Sequence, residues 1–197
     1  SADGMTYSIA SNKGNAIKYL TVTRSLICGT AGGEFSVTAS SSAEPITPTN
    51  IQIKKQSSYG SSGIDAVSIG NATMFVQRAK RKVRELVYNY DTDGFVAPDT
   101  TILAEHITDT GIVEMSYQQE PQSILWCVRT DGVLIGLTYA RNEQVVGWHR
   151  HIFGGVFGSG NAIVESVATI PGDLNEDVTY VVVKRTINGA ARRYVEY

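Results

Sequence analysis

The sequence predicts an all-β protein of β-propeller type, with about four blades of three to four antiparallel strands. Three observations point there. Short runs rich in Val, Ile, Thr and Tyr alternate with Gly, Asn, Asp and Ser. Segments of about fifty residues resemble one another along the chain. Asp-Gly and Asn-Gly dipeptides fall between apolar runs, where two-residue hairpins would place them.

The repeat is read by aligning the chain with itself. Three segments begin with a β-branched residue followed by an acid: Ile64-Asp65, Val113-Glu114 and Val164-Glu165, with starts 49 and 51 residues apart. A polar, turn-rich gap follows in each. Next comes an apolar run ending in a polar or basic pair, "MFVQR", "LWCVR" or "VVVKR", then a tight turn and a strand with tyrosine near its end, "ELVYNY", "LIGLTY" or "RRYVEY". A more degenerate copy begins at Ile17. The whole chain, 1–197, is read as one domain with blades at 17–63, 64–112, 113–163 and 164–197. "IDAV", "VEMS" and "VESV" would be inner strands, and "QVVGWHRHIF" a fourth, edge strand.

The register settles two local ambiguities. "ATMFVQRAKRKVRELVYNY" carries a helix-like apolar spacing at Val83, Leu86, Val87 and Tyr90. In the repeat, however, Ala79–Lys82 occupies the position of the Asp131-Gly132 and Asn188-Gly189 turns, so two strands around a basic turn are expected. Cys28 and Cys127 stand two repeats apart in equivalent positions and are read as buried free thiols, not a bonded pair.

Composition limits the function classes. The 197 residues carry 17 Lys+Arg against 19 Asp+Glu, a net charge of −2, so no global field favours nucleic acid. Hydrophobic residues make up 42% and charged residues 18%, enough for a packed core. No apolar run approaches the roughly 18 residues of a membrane-spanning helix, and no membrane insertion is expected.

The stretch "QVVGWHRHIFGG" (144–155) places His149 and His151 on one strand face, because side chains alternate. Zinc sites use such pairs but need further ligands, and His106 lies far off in sequence. An architectural reading covers the whole stretch. Trp148 would pack against the adjacent blade, the histidines would face outward or bond across the blade edge, and "FGG" would open a linker. "DTDG" (91–94) resembles the start of an EF-hand loop but lacks the downstream Gly and Glu. "GGVFGSG" (154–160) lacks a following Lys-Ser/Thr pair and reads as a flexible loop. The densest charge is at Arg78, Lys80, Arg81, Lys82 and Arg84, a hairpin tip able to touch phosphate or an acidic partner. No nucleophile elbow or H-E-x-x-H motif is present. The reading assigns no catalytic, cofactor-binding or metal-ligating residue, no cofactor and no enzyme activity.

The segments "IVEMSYQQEPQSILWCVRTDGVLIGLTYARNEQVVGWHRHIFGG" and "VESVATIPGDLNEDVTYVVVKRTINGAARRYVEY" resemble the propeller region of bacteriophage tail proteins. The relevant family is the tail nozzle, or tail tubular B-type, proteins of short-tailed phages and prophages. The resemblance runs from Ile64 to Tyr197 and is most specific over 112–197; before Ile64 only the repeat register extends it. It implies a non-enzymatic structural component of the virion tail, made in the bacterial host cytoplasm. Copies would form a ring, part of the conduit for DNA ejection, with other tail or adaptor proteins as neighbours and passive contact with phage DNA. Family members are much longer than this chain. The last repeat lacks a fourth strand, so either "MTYSIAS" (5–11) supplies it and four blades close, or the chain is a fragment of a larger propeller. The alternative function is a ligand-binding propeller module for a carbohydrate or peptide.

Overall fold

A computed structural model describes residues 4–9, 15–41, 43–173 and 175–197. It is all-β, a succession of small antiparallel sheets with one four-residue helix among the described residues. The chain divides into two compact units, Ser1–Arg78 with Arg84–Pro98, and Ala79–Val83 with Asp99–Tyr197.

The first unit holds two four-stranded meanders. One is β1 (Ile17–Val22), β2 (Leu26–Thr30), β3 (Gly33–Ala39) and β4 (Ile51–Ser57), in that spatial order. The other is β5 (Val67–Ile69), β6 (Ala72–Val76), β7 (Val83–Asn89) and β8 (Gly94–Val96), again in chain order. Tyr19, Ile27, Phe75, Leu86, Phe95 and Ala97 form their shared core. Like strands lie near like: β1 contacts β5, and β4 contacts β8.

Residues 74–90, helix-like in spacing, belong to β6 and β7 and the turn between them. The physical reason is burial on both faces. Every residue of β6 is buried, as are Val83–Val87 of β7. A surface helix would expose one side of such a run, whereas a strand between neighbours covers both.

The second unit opens with α1 (Glu105–Thr108) and a four-stranded meander of β9 (Ile112–Gln118), β10 (Ile124–Arg129), β11 (Leu134–Ala140) and β12 (Val145–His151). After a small hairpin of β13 (Val156–Phe157) and β14 (Gly160–Asn161) comes a three-stranded meander of β15 (Ile163–Pro171), β16 (Asp177–Ile187) and β17 (Ala190–Glu196). Val128, Leu134, Ala162, Val164, Val167, Val181 and Val183 form its core, with Trp126 and Phe153 packed on the rim.

"MFVQR", "LWCVR" and "VVVKR" fall in β6, β10 and β16, each the second strand of its sheet. Cys28 on β2 faces Leu20 and Phe35, and Cys127 on β10 faces Met115 and Ile135. Both are buried free thiols.

Several local expectations are corrected. The first strand of the second repeat is Val67–Ile69 and not Ile64–Val67. The Ser61 and Ser62 amides donate to the carbonyls of Thr30 and Val76, and Ser61 bridges to Gln77, so the chain touches the end of β6 there before it pairs as a strand from Val67. Asn188-Gly189 is a two-residue turn with both φ positive, 51° and 76°, as its sequence suggests. Asp131-Gly132 is not. Only Gly132 has positive φ, and the Asp131 carboxylate accepts from the Val133 amide and from Arg129, which builds a longer turn. "GGVFGSG" contains the β13–β14 hairpin, with Gly158 at φ 60°. Met5–Ile9 of "MTYSIAS" form no strand, and Ala10 and Ser11 lie outside the described residues.

Candidate functional site: a polar cleft and a histidine pair

The five cations singled out in sequence have different surroundings. Arg84 is buried. Its guanidinium donates to Gln77 Oε1 at 2.8 Å and to the Ala97 carbonyl at 2.7 Å, and stacks 3.4 Å from the Tyr59 ring centroid. Lys82 donates to Asp99 at 2.8 Å and lies 3.4 Å from Glu105. The bond to Asp99, more than any other influence, raises the Lys82 pKa. These two side chains are therefore structural. Arg78, Lys80 and Arg81 are exposed. Lys80 has φ 64°, and the backbone carbonyls of Lys80 and Arg81 accept from the Ile112 amide and the Thr108 hydroxyl, which fixes the loop while its side chains face solvent.

"DTDG" is a turn held by its own side chains. Asn89 Oδ1 accepts from the amides of Asp91 and Thr92, and Asp93 accepts from the Tyr88 hydroxyl. Among the described residues no group of three or more His, Cys, Asp or Glu side chains is arranged to hold a metal ion.

The first unit carries a cleft of about 540 Å³ that no local sequence pattern marks. Arg24, Ser36, Lys54, Gln56, Tyr88 and Asp93 contribute to its walls. Gln56 joins two elements: its amide donates to Ser36 Oγ at 2.7 Å, and its Oε1 accepts from the Phe95 amide at 2.9 Å. The Arg24 guanidinium lies 4.5 Å from the Tyr88 ring centroid and 5.5 Å from that of Tyr90. Aromatic faces, cations, carboxylates and amide groups in one recess suit a polar ligand held by stacking and hydrogen bonds.

In the second unit the two sheets are joined by side chains at their first strands. Glu114 on β9 accepts from the Ser166 hydroxyl at 3.2 Å and from the Val167 amide at 3.0 Å. Ser116 Oγ accepts from the Thr169 amide at 2.8 Å. Asp177 Oδ2 accepts from the amides of Gln119 and Glu120. The acid that opens the third repeat is thus a strand-to-strand connector. In the fourth, Glu165 instead pairs with Arg193 and Lys184.

Trp126, His149 and His151 form one aromatic group on the β9–β12 sheet. His149 Nδ1 and His151 Nε2 are 2.7 Å apart, and Thr138 Oγ1 is 3.2 Å from His149 Nε2. The Trp126 ring meets both imidazoles edge-on, with centroids 5.8 and 4.9 Å away, while its indole N–H donates to Gln118. Gly136 lies opposite His149, and a Cβ there would come within 2.3 Å of His149 Cε1, so this glycine admits the ring. Burial lowers the pKa of both histidines, and the neighbouring charge of His151 lowers that of His149 further. His149 therefore does bond across the sheet. Trp148, expected against a neighbouring blade, donates its indole N–H to the Thr100 carbonyl at 2.9 Å, in the loop before α1 and within the preceding repeat.

No family model and no curated protein matches the chain.

Proposed function

We propose that this chain is a non-enzymatic structural module, a β-propeller-like region of a phage or prophage tail nozzle protein. The observation that carries the reading is the succession of chain-ordered meanders, with like strands side by side within each unit: β1 by β5, β4 by β8, and β9 by β15. Sheets stacked in this manner are what blades require. The resemblance of residues 64–197 to the nozzle family supplies the biological setting. In that setting the chain's neighbours are further copies in a ring and other tail or adaptor proteins. Arg78, Lys80 and Arg81, being exposed, are the side chains free to meet the phosphates of passing DNA. The molecule would be made in the host cytoplasm and end in the virion tail.

Mass spectrometry of purified particles from a strain carrying the gene tests this directly. The protein should co-purify with portal and capsid proteins in a fixed ratio. Its absence from intact particles would sink the proposal.

The cleft supports a second reading, a module that binds a carbohydrate or peptide. Its stacked Arg24 and Tyr88 and the amide of Gln56 are groups that recognise sugars or extended backbone. A glycan array probed with wild type and Arg24→Ala separates the two. Binding that Arg24→Ala removes would favour the module reading.

A further inference from the structure

We infer that His149 and His151 form a binding site for a single divalent first-row transition ion, with copper(II) preferred over nickel(II) and zinc(II). The sequence spacing alone did not carry this, because two histidines on one strand face need not meet. Here they do. Nδ1 of one ring and Nε2 of the other face each other at 2.7 Å. Two imidazole nitrogens bound to one ion at about 2.0–2.1 Å each stand roughly 3 Å apart. The pair has to open by only a few tenths of an ångström to admit the ion.

The proton balance is simple. Each neutral ring carries one N–H, and in the metal-free pair one of these protons sits between the facing nitrogens. Binding needs both facing nitrogens bare. A tautomer shift places the His149 proton on Nε2, where Thr138 Oγ1 at 3.2 Å accepts it, and the His151 proton on Nδ1. No proton is lost from neutral rings. The Thr138 hydroxyl takes the place that a carboxylate, backbone carbonyl or water usually fills, accepting from the far nitrogen of a ligating histidine and so fixing ring and tautomer. Trp126 backs both rings, and Gly136 leaves the room that His149 fills. His151 is exposed on β12, so the ion can enter from solvent and keep water in its remaining positions. Imidazole ligands and an open coordination sphere give the copper(II) preference through the general order of divalent affinities.

The test is calorimetric titration of tag-free protein at neutral pH with copper(II), nickel(II) and zinc(II) chlorides, with tryptophan emission followed in parallel. One equivalent should bind in each case, copper(II) most tightly, and copper(II) should quench Trp126 strongly. His151→Ala should abolish this binding while leaving the unfolding midpoint near wild type, since the side chain is exposed. Thr138→Val should weaken it by about tenfold. His106→Ala, at the exposed third histidine on α1, should bind as wild type does. The inference fails if wild type binds no ion at one equivalent, or if His151→Ala keeps the wild-type affinity. Loss of binding in His106→Ala would place the ion elsewhere and overturn it equally.

Discussion

Replacing Arg129 by Met should destabilise the second unit by about 1–5 kcal/mol. Arg129 ends β10 and is only 7% exposed. Its guanidinium donates to the Ile107 carbonyl on α1 at 2.6 Å, to Asp131 in the following turn, and lies 3.5 Å from Asp109. Methionine retains the apolar stem but no donor. The Ile107 carbonyl is then left buried without its partner, at a cost of about 1–3 kcal/mol. Asp131 and Asp109 have side chains 38% and 49% exposed, so water recovers most of their loss, and each adds about 0–1 kcal/mol. Urea unfolding followed by tryptophan emission at pH 7 measures the change through the midpoint, with the slope unaltered. The pH dependence provides a second check. Burial works to raise the Asp131 carboxyl, but hydrogen bonds from Arg129 and the Val133 amide, with the charge of Arg129, hold it below the ordinary carboxylate range. A depressed folded pKa contributes stability above the unfolded value, and that contribution is lost as pH falls through the folded one. The gap between wild type and variant should therefore narrow below about pH 4. A destabilisation under about 0.5 kcal/mol at pH 7, typical of an unremarkable surface change, would refute the argument.

Four further outcomes are expected. Asn188→Ala should cost about 1 kcal/mol in thermal unfolding, because alanine tolerates the left-handed φ of 51° less well than asparagine. Ellman's reagent should find no rapidly reacting thiol in native protein and two after denaturation without reductant, since Cys28 and Cys127 are both buried and burial raises both pKa values. Stability should decline as pH falls below about 6.5, where histidines charge on unfolding but resist charging when folded, and His149→Gln/His151→Gln should lose that part of the slope. Light scattering of the isolated chain should give a monomer, because its glycine- and serine-rich or charged loops, such as 57–63 and 154–160, are poor material for the roughly 1,200 Å² of a stable interface; a stable hexamer would show that these residues carry ring contacts by themselves.

The strands were legible because their signals are local. Alternation, β-branched content and the Asn188-Gly189 turn each act within a few residues, and the repeat removed the helical reading of 74–90. What escaped depends on partners distant in the chain. Five cations look equivalent in sequence, yet Arg84 is enclosed by Gln77, Ala97 and Tyr59, while Lys80 and Arg81 are not. Arg24 lies in the bend between β1 and β2 and Tyr88 on β7, more than sixty residues on, so no motif could announce the cleft. The turn at Asp131 turned out longer because its carboxylate was engaged by Arg129, a pairing that dipeptide statistics do not contain. His149 and His151 were placed on one face correctly, but their contact depended on the missing side chain of Gly136 across the strand pair.

Every major sheet is a meander in which each strand bonds to the one before and after it in the chain. That has a consequence for synthesis. As residues emerge from the ribosome, each new strand finds its partner already present and only a short loop away, so little closure entropy opposes pairing. A sheet can form before the next one has been translated, which leaves few open edges waiting for distant segments and shortens the time in which nascent chains can cross-pair. Pulse-labelled nascent chains stalled only once residue 100 has cleared the ribosomal exit tunnel should already resist protease over β1–β8.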